Sequence, residues 1–159
     1  MKPDPAVLQT TQCLCLAARR AARAITREFD QALRGHDLRA TQFTLLAALQ
    51  LAGPKSIGDL ADLLSADRTT LTRNLAVAER HGLVTLRSDR NDARSRITAI
   101  TTKGTRALTA ALPVWRETQQ RLTAEIGEQT AATLRKLAGG PCVMEIPAAQ
   151  PRPRKETKR

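Results

Sequence analysis

Within residues 56–104 the hydrophobic period changes once, from helical to alternating, and that change leaves few folds open. Ser56, with Asp59 three residues on, resembles a capping box in which Asp replaces the usual Glu or Gln, and it predicts a short helix through Leu63. A second helix is predicted from Asp67 over DRTTLTRNLAVAERHG, with Leu71, Leu75 and Ala78 on one face and Gly82 as its stop. LVTLR and RITAIT then read as strands, separated by a polar segment over 88–94 that is dense in Asp, Asn and Arg. Helix, tight turn, helix and hairpin in that order describe a winged helix-turn-helix.

The flanks are helical. Leu14, Ala18, Ala22, Ile25, Phe29 and Leu33 place one apolar stripe on a long helix over 8–34, with Gly35 as its stop. Thr41 is a natural N-cap for a run containing Phe43, Leu45, Leu46 and Leu49, which Gly53 and Pro54 end. After the hairpin, Thr101 or Thr102 caps a helix on which Leu108, Leu112, Trp115, Gln119, Leu122 and Ile126 recur at steps of four and three. That seam reads as a helix-pairing face, with Pro113 expected to kink it. A last helix over 130–138 is ended by Gly139, Gly140 and Pro141. The expected class is mainly α with a small β-hairpin wing. One domain covers 1–140, with a winged helix-turn-helix lobe over 41–101 and a helical dimerisation region over 8–34 and 102–138. Residues 141–159 form a proline-containing basic tail, read as extended or disordered. Leu and Ala supply most apolar residues and Tyr is absent, which disfavours an all-β core.

Charge narrows the partner. A formal net charge of +11 suits a protein that meets polyanions. No segment approaches the roughly 20 apolar residues that span a bilayer, and no secretory signal is recognisable. The expectation is a cytoplasmic chain without a membrane partner, in which Cys13, Cys15 and Cys142 are reduced thiols. With 2% aromatic residues the chain lacks stacking platforms for RNA or single strands, leaving duplex DNA. His36 and His81 are far apart and lack a carboxylate at ligand-like spacing. P-loop, dinucleotide and nucleophile-elbow motifs are missing, so an enzyme is not expected and no cofactor is required.

In such a unit the second helix enters the major groove, and its first turns need short polar or basic side chains. Arg68, Thr69, Thr70, Thr72 and Arg73 meet that need, with hydroxyls for phosphates or bases and guanidinium groups for guanine. Arg87, Arg90, Arg94 and Arg96 would repel one another on the wing unless phosphates or a narrow minor groove complete them. Asp92 is placed to orient Arg94.

DRTTLTRNLAVAERHGLV followed by DARSRITAITTKG resembles the recognition helix and wing of the MarR family of transcriptional regulators. Asp92, Arg94, Thr101 and Gly104 occupy the most specific places of that pattern. The resemblance weakens outward and ends near Ala138, leaving the basic tail outside it. It implies a homodimer whose first and last helices interlock, a ligand pocket between dimer domain and DNA-binding lobes, and repression from a pseudo-palindromic operator. The competing function is a nonspecific architectural DNA binder without an inducer.

Two effector classes fit. Family members often respond to small aromatic or phenolic anions, and Arg19, Arg20, Arg23 and Arg27 on the first helix are candidates to line such a pocket or to form a solvated face. Alternatively, Cys13, Cys15 and Cys142 offer a shell for trivalent arsenic or antimony, or a redox switch. Inert burial is the competing reading of these thiols. Cysteines two apart on a regular helix diverge by about 200° and cannot chelate together, so sensing needs the helix to begin near Cys15 or to fray there.

Overall fold

The computed structural model describes residues 7, 9–88 and 96–139. Arg90, Asp92, Arg94, Cys142 and the basic tail lie outside the described residues. In chain order the elements are α1 (Leu14–Leu33), a 3-10 turn (Arg34–His36), α2 (Ala40–Ala52), β1 (Lys55–Ser56), α3 (Ile57–Leu63), α4 (Arg68–Arg80), β2 (Val84–Ser88), β3 (Arg96–Ile100), α5 (Thr102–Ile126) and α6 (Glu128–Leu137). The sheet is antiparallel in the order β1-β3-β2. The mainly α class with a small hairpin wing is observed.

Three caps act as the residue types suggest. Ser56 Oγ accepts from the Asp59 amide at 3.1 Å, Asp67 Oδ1 from the Thr70 amide at 2.9 Å, and Thr101 Oγ1 from the Gly104 amide at 2.9 Å. Each satisfies an orphan donor at a helix start, worth about 1 kcal/mol.

Other boundaries differ from expectation. The first helix starts at Leu14, not near residue 8, because Cys13 is extended (φ −61°, ψ 115°) after a 3-10 turn at Gln9–Gln12. Its end is marked by Asp37 rather than Gly35: Asp37 adopts the left-handed conformation (φ 53°), while Gly35 sits in the 3-10 turn. Nor does Thr41 cap α2. The N-cap is Arg39, whose amide donates to Gln42 Oε1 at 2.9 Å, and Asp30 of α1 accepts from the Ala40 amide at 2.7 Å. Capping from a distant helix leaves no local signature. The two-residue strand β1, pairing Lys55 with Thr98 and Ser56 with Ile97, was not foreseen. Pro113 lies inside α5 as expected, whereas Gly127 (φ 82°) turns the chain into α6, which begins at Glu128 rather than residue 130.

One core gathers Leu45, Leu46 and Leu49 of α2, Leu60 of α3, Leu71, Leu75 and Ala78 of α4, Val84 of β2, and Leu108 and Ala111 of α5. Each fully buried Leu contributes about 2 kcal/mol. Phe43 and Trp115 stack at 5.5 Å and join α2 to α5. From α1 only Leu33 is buried.

Candidate nucleic-acid interface

α4 turns Leu71, Leu75 and Ala78 inward, so helical geometry leaves Arg68, Thr69, Thr70, Thr72 and Arg73 exposed along its first turns. Among the described residues Arg68 and Arg73 form no ion pair, and the Thr69 and Thr70 hydroxyls have no hydrogen-bond partner. The Thr72 hydroxyl donates to the Arg68 carbonyl at 2.7 Å, which points its donor at the helix itself. The Arg68 guanidinium lies over the start of α3, where Gly58 has no side chain: a Cβ there would stand 3.4 Å from Arg68 Nη2.

On the wing, Arg87 opposes Ile97 and Arg96 opposes Ser88. Directly opposed residues share a face and neighbours along a strand alternate, so Arg87 and Arg96 project from opposite faces of the ribbon. Both are exposed. Edge strand β2 is tied to α4 by Glu79, whose Oε1 accepts from the Leu86 amide at 3.2 Å.

The end of α4 is fixed onto the start of α5. Gly82 (φ 69°) allows a Schellman turn, in which the Gly82 amide donates to Glu79 O at 2.8 Å and the Leu83 amide to Ala78 O at 2.9 Å. Three further carbonyls are taken by α5's first turn and its cap: the Lys103 ammonium donates to His81 O at 2.8 Å, the Thr101 hydroxyl to Gly82 O at 2.7 Å, and the Thr101 amide to Leu83 O at 3.0 Å. Gly104 makes the approach feasible, because a Cβ there would lie 2.1 Å from Leu83 O.

A cavity of about 700 Å³ opens beside this junction. Its walls are the end of α1 (Asp30, Arg34), the segment 36–39, Gln42, the end of α4 (Val77, Arg80, His81), Leu83 and the start of α5 (Lys103, Ala107). The cations Arg34, Arg39, Arg80 and Lys103 outnumber the carboxylates Asp30 and Asp37, with Leu38, Val77 and Leu83 supplying apolar wall. Arg39 Nη1 is paired with Asp30 at 3.2 Å. The set was missed in sequence because its members belong to three separate stretches, 30–42, 77–83 and 103–107. Arg19, Arg20, Arg23 and Arg27 are not among the lining residues: they stand exposed on earlier turns of α1, and only the last turn reaches the cavity. His36 and His81, distant in sequence, both line it, although no cluster suited to a metal occurs among the described residues.

Cys13 and Cys15 are exposed free thiols, and Cys13 is the N-cap of α1, so the helix does begin between them. No helix among the described residues is long and apolar enough to cross a membrane.

A family model described as the MarR family matches residues 36–95, which hold α2, α3, α4 and β2. The transcriptional regulator MOSR of M. tuberculosis, solved in complex with DNA, is 39% identical with a TM-score of 0.69, over 80% of this chain and 96% of that one. This chain belongs to the MarR family. MepR of S. aureus, also solved with DNA, is 25% identical with a TM-score of 0.67, over 79% of this chain and 96% of that one. A cysteine-to-serine mutant of E. coli MarR with operator DNA is similar in fold, at 24% identity and a TM-score of 0.71, over 82% of this chain and 95% of its own. A search of curated proteins finds no match. The family model stops at the wing, whereas the structural matches extend across the helical arms, so MarR-family likeness covers both halves of the molecule.

Proposed function

We propose that this chain is a homodimeric repressor that reads a pseudo-palindromic duplex operator with α4 and its wing and lets go when a small aromatic or phenolic anion enters the cavity. The observation that carries the reading is the exposed face of Arg68, Thr69, Thr70 and Arg73, without ion pairs among the described residues, on a helix whose other face is locked in the core. A helix anchored that way presents its first turns to a groove without folding cost. The wing arginines, Arg87 and Arg96 with Arg90 and Arg94 beyond the described residues, add phosphate or minor-groove contacts. Asp92, also beyond them, orients Arg94. Two copies are needed for a two-fold site, and the uncovered Leu14 and Leu137 at the arm ends are the surfaces that pair them.

The test is operator selection. The preferred duplex, sought first next to the chain's own coding sequence, should bind roughly a thousandfold tighter than random duplex at physiological salt. Equal affinity for all duplexes would establish the nonspecific architectural binder instead. Benzoate or para-hydroxybenzoate should weaken operator binding, and neutral benzamide should not.

A second effector reading rests on Cys13 and Cys15, both exposed at the start of α1. Peroxide would take two electrons and two protons from a thiol pair, forming a disulfide and two waters, and trivalent arsenic would bind up to three thiolates. Operator release by peroxide or arsenite in the native chain, lost in the triple Cys→Ser variant that includes Cys142, supports this route.

A further inference from the structure

We infer that Lys103 is the positioning residue that links the cavity to the reading helix: its ammonium holds the carbonyl of His81, the C-cap of α4, and is surrendered to an anion in the cavity. The inference rests on the reading of that cavity as an anion site.

The geometry has two parts. Lys103 Nζ donates to His81 O at 2.8 Å, and Lys103 and His81 both belong to the cavity wall. The Schellman turn already satisfies Ala78 O and Glu79 O, and Thr101 serves Gly82 O and Leu83 O, so the His81 carbonyl depends on Lys103. A cation at that end also meets the negative pole of the helix dipole. A carboxylate or phenolate in the cavity offers the ammonium a full opposite charge instead of a carbonyl dipole, and the Coulomb attraction between two unit charges exceeds that between a charge and a dipole at the same distance. Lys103 is exposed and flexible enough to choose. When it turns, α4 loses one of the contacts that set its end against α5, and those of Thr101 remain. Arg80, in the last turn of α4, lines the same cavity and is drawn toward the same anion.

Linkage makes the idea quantitative, because an anion that weakens operator binding must itself be weakened by operator to the same factor. For benzoate and the native dimer the expected factor is about tenfold. Lys103→Met keeps the apolar stem that lies beside Gly82, 3.7 Å from where a Cβ would be, but has no ammonium. It should bind operator in the absence of benzoate about as tightly as the native protein does in its presence. Its coupling factor should fall to about one, while calorimetry without DNA still detects benzoate held by Arg34 and Arg80. Lys103→Arg retains a donor for the His81 carbonyl and should keep a factor clearly above one. In the native protein, saturating benzoate should speed hydrogen exchange of the Gly82 and Leu83 amides several-fold.

If Lys103→Met is released by benzoate to the native factor, or benzoate leaves Gly82 and Leu83 exchange unchanged, the assignment to Lys103 is wrong and the cavity reading stands. If the native dimer binds neither benzoate nor para-hydroxybenzoate, the cavity reading fails and takes the inference with it.

Discussion

The lobe of α2 to β3 and the helical arms of α1 and α6 differ in how much of their apolar surface they cover within one chain. Leu45, Leu46 and Leu49 of α2, Leu60 of α3 and Leu71 and Leu75 of α4 are buried in a single cluster, and the lobe's helix starts are capped by their own side chains or by neighbours. The arms do the reverse. Leu14 is 85% exposed, Leu137 is 81% exposed, and α1 buries only Leu33. Under the proposed function these uncovered ends are where a second copy would pair. On the proposed reading, a self-contained lobe is carried on arms that a second copy completes, and the junction at Thr101, Lys103 and Gly104 is where the two parts meet.

That division is broken most severely at the junction. Gly104→Ala would place a Cβ 2.1 Å from Leu83 O and 2.9 Å from Ile100 Cγ1. The first clash is with backbone and cannot be relieved by a rotamer change. A loss of about 4 kcal/mol is expected, above the usual overpacking range, and is read from the urea midpoint. A variant as stable as the native chain would mean that the close approach of α5 to Leu83 is not a constraint.

Next in size is pairing of the arms. Leu14→Asp with Leu137→Asp puts carboxylates on both uncovered ends without touching the lobe core. Dimer dissociation should strengthen by about 3 kcal/mol, roughly a hundredfold in the constant, because a charge must be buried without a partner. Light scattering should then show monomers that keep native helix content. If the doubly substituted chain stays as tightly dimeric as the native one, the arms do not pair through these ends.

Within the lobe, the reading face and the wing should fail differently. Arg73→Ala should cost about 2 kcal/mol on operator and little on random duplex. Arg96→Ala should weaken both alike and flatten the log–log salt dependence by about 0.9 if Arg96 meets one phosphate. Arg87 projects from the other ribbon face, so Arg87→Ala and Arg96→Ala should not give equal slopes. Native binding by both Arg73→Ala and Arg96→Ala would remove α4 and the wing from DNA reading.

What sequence pattern conveyed follows the same boundary. Ser56, Asp67 and Thr101 were legible because a cap is a contact with the amide three residues on. The hairpin was legible because alternation and β-branching are local too. The α2 cap from Asp30, the β1 pairing with β3 and the joint appearance of His36 and His81 in one cavity were not, since each depends on segments brought together by packing. The start of α1 was overrun because apolar spacing continues past the extended Cys13. Asp37 was overlooked because glycine is the usual left-handed residue and Gly35 stood two places before it.

The smallest effect sharpens the comparison in the opposite direction, by making the lobe more complete than it is. Thr98 lies on the central strand, opposite Lys55 on one side and Leu86 on the other. It is fully buried, and its hydroxyl has no hydrogen-bond partner among the described residues. A buried hydroxyl left unpaired carries a desolvation penalty, whereas Val has the same branched shape and no polar atom to desolvate. Strand propensity also tolerates the exchange, since both side chains suit a pleated surface. Thr98→Val should therefore stabilise the chain by about 1 kcal/mol in urea unfolding, with an unchanged denaturant slope because the surface exposed on unfolding is the same. Dimer affinity should not move, as Thr98 lies in the lobe sheet rather than on the arms. A lowered midpoint would show that the hydroxyl is bonded in solution, and the lobe would then have no unfilled polar group at this strand.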